Sequence, residues 1–209
     1  MTAIQAETRT DAGAERPRPL TEYIAAIDQC LERKLAAPAL IKEVSQLTRR
    51  LVASSAWVPP AWRIGTPDHY ARHLLHRDPR NRYVCLSLVW MPGQGTPVHD
   101  HRCWGIMGIL ENQLEVVNYE RLDDGSRPGY AELNETDGFD SCQGATCYIL
   151  PPYQEIHRIG NRTDRPSISF HIYGRDIDEV NVFDLERRTV QSMRIKYYAT
   201  HCGQQDFII

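Results

Sequence analysis

Apolar positions recur along this chain with two different periods, and the change from one to the other divides it. Over about residues 20–56 the spacing is helical. Tyr23, Ile24, Ile27, Leu31 and Leu35 fall on one face of a helix that Thr21 would cap. Pro38 interrupts that helix, and Leu40, Ile41, Val44, Leu47 and Leu51 mark a second one. The pair predicts an αα-hairpin whose Leu/Ile stripe faces a core. Trp57 to Pro67 reads as an irregular connection. His69 to His76 is ambiguous: Thr66-Pro67 could open a helix, yet Asp78-Pro79-Arg80-Asn81 reads as a turn into a strand. A strand hairpin is favoured, with Tyr70, Arg72 and Leu74 on one face.

From Tyr83 onward the runs are short and separated by turns. Tyr83–Trp90, Ile106–Leu110, Leu114–Tyr119, Ala145–Leu150 and Ser167–Tyr173 read as strands, with a turn over Asp123–Gly129. Gln191 to Thr200 supplies one or two edge strands. Such spacing predicts a sandwich or barrel.

The chain of 209 residues is long enough for one full core and too short for two comfortable ones. The expected division is a polar, Pro-containing tail over residues 1–19, disordered, and a single domain over 20–209. Within that domain the β-barrel covers about residues 66–200. A formal charge of −3 makes no electrostatic case for nucleic acid or membrane, and no apolar run reaches membrane-spanning length. Six cysteines, with no C-x-x-C pair, argue against a zinc ribbon and a disulfide scaffold. A reducing cytoplasm is the expected compartment, with Cys85 a small core residue.

The chemistry centres on Pro97-Val98-His99-Asp100-His101. Alternate side chains of a strand share a face, so His99 and His101 would project together as two corners of a transition-metal site. A lone H-x-H is weak support, since one histidine could cap a turn and the other be exposed. Here it follows an apolar run and the turn Met91-Pro92-Gly93-Gln94-Gly95-Thr96-Pro97, and His157 offers a third ligand downstream. Ser169, His171 and Tyr173 form a second polar row at alternate positions, opposite Ile168, Phe170 and Ile172. A hydroxyl, an imidazole and a phenol can pass hydrogen bonds in series, although an ordinary half-exposed strand also reads this way.

Together the H-D-H after G-Q-G-T-P, the H-x-I-x-N beginning at His157 and the S-x-H-x-Y at 169–173 resemble the thiol dioxygenases of the cupin superfamily, bacterial cysteine dioxygenase type. The resemblance covers roughly residues 66–175. It implies a mainly β, single-domain cupin barrel (a double-stranded β-helix or jelly roll) with the N-terminal helices packed outside. It further implies one Fe(II) per chain on His99, His101 and His157, with Tyr173 acting at the reaction centre through His171 and Ser169. The carboxylate that a usual cupin site adds after H-x-H is missing from Arg102-Cys103-Trp104-Gly105-Ile106, and Glu111 is too far along. Tyr70-Ala71-Arg72 resembles the segment that binds a substrate carboxylate, for which an arginine fork suits better than an amide.

The implied reaction is oxidation of the thiol of L-cysteine by O2 to cysteine sulfinate, with a small-molecule thiol and O2 as the partners. Sequence leaves the oligomeric state open. 3-Mercaptopropionate is the nearest alternative substrate, and a non-catalytic, metal-binding cupin is the rival from another class. Where animal relatives carry a cysteine that crosslinks to the active-site tyrosine, this chain has Gly105. Cys103, on the face of His101 if the strand is regular, is displaced from that position, so no thioether is expected.

Overall fold

The computed structural model describes residues 16–152 and 154–195. Residues 1–15 of the tail expected over 1–19, and the end of the expected edge strand at 196–200, lie outside the described residues. Two helices come first, α1 (Arg18–Glu32) and α2 (Ala37–Val52), followed by a single 3-10 turn at Pro60–Arg63. Helix α1 starts earlier than its apolar period suggests. Its N-cap is Pro17, and Arg18 and Pro19, assigned to the tail from sequence, are already helical. Thr21 is therefore no cap: its Oγ1 donates back to the Pro17 carbonyl at 3.3 Å. Prolines open both helices, because the first helical turn needs no donor from them.

Among the described residues eleven strands follow: β1 (Ala71–Arg77), β2 (Val84–Trp90), β3 (Val98–His99), β4 (Gly105–Glu111), β5 (Gln113–Arg121) and β6 (Leu133–Cys142) in the first half. The second half holds β7 (Thr146–Ile149), β8 (Ile156–Gly160), β9 (Ser167–Tyr173), β10 (Glu179–Asp184) and β11 (Thr189–Arg194). One sheet runs β1-β2-β9-β4-β7 and the other β11-β10-β3-β8-β5-β6, and every strand pairing is antiparallel. Strands equidistant from the β5–β6 hairpin pair with one another: β4 with β7, β3 with β8, β2 with β9. A long hairpin folded over itself in this way is a jelly roll, the mainly β cupin barrel expected from sequence. The ambiguous segment at 69–76 resolves as a strand, with β1 paired to β2 and a register shift between Leu74 and His76.

Strands β2, β4 and β9 are buried on both faces; β2 and β4 are near-continuous apolar runs, whereas β9 buries a polar row, Ser169, His171 and Tyr173, on one face. Their outer residues Val89, Ile106, Leu110, Phe170 and Ile172 pack under the helices with Leu20, Tyr23, Ile27, Val44 and Val52. Tyr23 meets the Phe170 ring edge-on at 5.2 Å, and its hydroxyl pairs with Thr48 Oγ1 at 2.8 Å. Gly108 permits the approach of α2, since a Cβ there would lie 2.8 Å from Val52 Cγ1. The inner residues Leu86, Leu88, Trp90, Met107 and Ile109 fill the barrel together with Leu114, Val116 and Ile159 of the opposite sheet.

Candidate metal centre

His99 ends β3 and pairs in register with His157 of β8, so two imidazoles from strands far apart in sequence stand side by side. The third arrives by a different route from the one periodicity suggests. Strand β3 stops at His99, and Asp100 to Trp104 is irregular, with Arg102 at a φ of 51°. The Asp100 N–H still donates to Asn181 of β10 at 3.1 Å, while its carboxylate accepts from the Asn181 side chain at 2.7 Å. That pin turns His101 back toward His99, and the two rings lie 4.6 Å apart.

The three rings are buried and their nitrogens converge, with the candidate ligand atoms all within 4.8 Å of one another. His99 Nδ1 is held by the Pro97 carbonyl at 3.0 Å, which leaves Nε2 for the centre. Both ring nitrogens of His101, and Nε2 of His157, are buried without a hydrogen-bond partner. Orphaned buried nitrogens are uncommon in folded proteins, and one ring nitrogen from each of the three histidines turned toward a shared point fits a metal ion. Burial holds all three imidazoles below their ordinary range, His101 and His157 well below, so they are neutral and able to ligate at neutral pH. Among the described residues this group comprises three histidines and no carboxylate. Glu111 is elsewhere, bonded to Ser55 and Arg63.

The second row lies beside the first. Ser169 Oγ is 2.8 Å from His171 Nε2, and His171 Nδ1 is 2.9 Å from the Tyr173 hydroxyl. The Tyr173 ring packs 4.8 Å from His101. Burial, aided by the Arg72 charge, pushes His171 down to about 3. Burial pushes Tyr173 up, so its phenol stays protonated. One cavity touches Tyr70, Arg72, His99, His101, His171 and Tyr173, and Val180, Met193 and Ile195 give it apolar lining. Among the described residues no aspartate or glutamate lines it, and Arg72 brings a positive charge to its wall. His157, the third histidine, lies 4.7 Å from the His99 ring and 5.2 Å from the His101 ring and is not part of the cavity lining.

Two expectations about cysteine meet this geometry. A Cβ at Gly105 would lie 2.7 Å from Tyr173 Cδ1, so this position does abut the tyrosine but carries no sulfur. Cys103 sits in the irregular segment rather than on a regular strand face, and burial raises its thiol to about 11. Sequence reasoning passed over Trp90, whose indole N–H donates to Ser169 at 2.9 Å, and gave no role to Asn161, whose amide donates to the Trp90 carbonyl at 2.9 Å. An apolar strand ending in Trp signals only a core position.

The family model for cysteine dioxygenase type I matches residues 10–186. Cysteine dioxygenase type 1 of Danio rerio is 21% identical over 141 residues, which is 63% of this chain and 64% of the relative. This chain thus matches somewhat less than two thirds of that protein's length. Among solved structures, a cupin superfamily protein from Desulfitobacterium hafniense DCB-2 is similar at a TM-score of 0.41 and 14% identity, covering 57% of this chain and 90% of that one. A cupin 2 conserved barrel domain protein from Salinispora arenicola CNS-205 has a TM-score of 0.37 at 19% identity, over 50% of this chain and 74% of that one. Among the described residues no helix is long and apolar enough to cross a membrane.

Proposed function

The chain belongs to the cysteine dioxygenase type I family, and from that premise we propose that it is an iron(II)-dependent dioxygenase converting L-cysteine and O2 to cysteine sulfinate. The observation that carries this reading is the shared cavity. Buried histidine ligands with free nitrogens, a single guanidinium and a protonated phenol all face one small space. Both oxygen atoms of O2 end on sulfur, so a thiol becomes a sulfinic acid with no other reductant. Iron(II), when bound by His99, His101 and His157, supplies the redox chemistry that spin-paired protein groups lack.

The chain's own residues do the rest. Arg72 takes the substrate carboxylate in a charge-assisted hydrogen bond, and Tyr70 walls the same end of the cavity. Three neutral ligands leave a metal's charge uncompensated, which favours a thiolate over a thiol beside them. Tyr173 holds its proton at the reaction centre and is kept in place by His171 and Ser169. The apolar wall of Val180, Met193 and Ile195 excludes water from that space. A structural zinc site would close with four protein ligands, and the three histidines here do not.

The test is anaerobic iron loading followed by O2 uptake and product mass with cysteine, 3-mercaptopropionate and other small thiols. Uptake with cysteine and a mass gain of two oxygens is the expected result. Preference for 3-mercaptopropionate would replace the substrate, and a fully iron-loaded protein inert toward every thiol would overturn the reading.

A further inference from the structure

We propose that Trp90 heads a directional hydrogen-bond chain, Trp90 to Ser169 to His171 to Tyr173, and so aims the Tyr173 proton into the cavity. The proposal rests on the reading of Tyr173 as a residue acting at the metal centre. Trp90 here is a positioning residue, because it acts on that centre through three others.

The direction follows from what each group can give and take. An indole nitrogen only donates, and Trp90 Nε1 donates to Ser169 Oγ at 2.9 Å. Ser169 is fully buried, so its own proton must find an acceptor within the protein. Neutral His171 has one donor and one acceptor nitrogen, with Nε2 toward Ser169 and Nδ1 toward Tyr173. If Ser169 donates to Nε2, then Nδ1–H donates to the Tyr173 oxygen and the phenol proton is left for the cavity. In the reverse arrangement Ser169 accepts from both Trp90 and His171. Its hydroxyl proton then has no acceptor in any hydrogen bond among the described residues, and Tyr173 shows the cavity only lone pairs. A buried donor left unpaired is the costly state, so the first direction is favoured.

Trp90 is itself fixed on three sides. It is fully buried, its ring stacks on Tyr70 at 4.3 Å and 21°, and its carbonyl accepts from the fully buried Asn161. The bland alternative is that a buried indole N–H simply needs a partner and that Ser169 happens to supply one.

Nitrogen-15 chemical shifts of the His171 ring in the full-length, metal-free chain separate the two. The expected wild-type result is a protonated Nδ1 and an unprotonated Nε2. Trp90→Phe keeps a ring against Tyr70 but removes the N–H. Ser169 then has a lone pair to fill, which the reversed chain fills with the Nε2 proton, so the shifts should move toward a mixture of tautomers. In the iron-loaded variant kcat should fall about fivefold, the worth of one neutral hydrogen bond, with KM for cysteine within about twofold. A wild-type Nε2 that carries the proton overturns the proposal, as do His171 shifts unchanged in Trp90→Phe. Should that variant fail to fold, the wild-type shifts alone decide. Turnover left intact by Tyr173→Phe would refute the role of Tyr173 at the centre, while the nitrogen shifts would still report the direction of the chain.

Discussion

On the helix side of β9, Ile168, Phe170 and Ile172 lie in an apolar cluster with α1 and α2; on the barrel side, His171 and Tyr173 line the cavity and Ser169 is bonded to His171. Both faces are buried to the same degree, and only their chemistry differs. The helix side gains stability from area and close packing, and the buried hydroxyls of Tyr23 and Thr48 pair with each other across the two helices. The barrel side buries imidazoles without partners, which costs stability until a ligand satisfies them. One strand thus serves as anchor on one face and as reaction surface on the other, and substitutions on the two faces should separate fold from chemistry.

The largest effect is expected from His157→Ala, which removes one of three ligands and should abolish turnover with loss of most of the iron while the helix-side core stays intact. Elemental analysis showing full iron occupancy in that variant would break the assignment of the centre. Next in size is the pH response of the metal-free protein. Folded pKa values of His99, His101, His157 and His171 all lie below the unfolded value of 6.5, so the unfolded chain binds more protons as pH falls. The stability from the neutral histidines is complete above pH 6.5 and is lost as pH falls toward their folded values, about 3 for His171. The slope is at most about 1.4 kcal/mol per pH unit for each histidine. Denaturant titrations from pH 7.5 down to 4.5 should show this decline, and a flat profile would contradict it.

On the opposite face, Phe170→Ala should cost about 3–5 kcal/mol, because a fully buried ring leaves a cavity under α1. Chemical denaturation measures it, and a loss below 1 kcal/mol would mean that the helices do not rest on this strand. Arg72→Gln should raise KM for cysteine by about one to two decades, the range for a charge-assisted hydrogen bond of roughly 1.5–3 kcal/mol, with iron still bound. An unchanged ratio of kcat/KM between cysteine and 3-mercaptopropionate would remove Arg72 as the carboxylate partner. The smallest effect is expected from Tyr23→Phe, which leaves Thr48 unpaired at a cost of about 1 kcal/mol, with kcat and KM unaltered. A change in KM there would show that the two faces of β9 are coupled.

Much of this arrangement is written in local sequence. The helical spacing from Tyr23 to Leu51 and the strict alternation from Ile168 to Tyr173 each assign a face to every side chain, because side-chain direction repeats within a few residues. Whereas the H-x-H and His157 were legible as residue types in a motif and not as positions on one strand face, the S-x-H-x-Y row was readable for the same reason. Strands β6 and β10 were not: β6 is polar and mostly exposed at a sheet edge, and β10 mixes half-buried positions, so neither alternates cleanly.

Tertiary structure alone decided the rest. His101 reaches the centre through an irregular segment pinned by Asn181, where strand periodicity no longer applies. His99 meets His157 only because β3 pairs with β8 in one register, and Trp90 meets Ser169 only because β2 pairs with β9. Pairing of strands distant in sequence is chosen by the whole core at once, which no local pattern encodes.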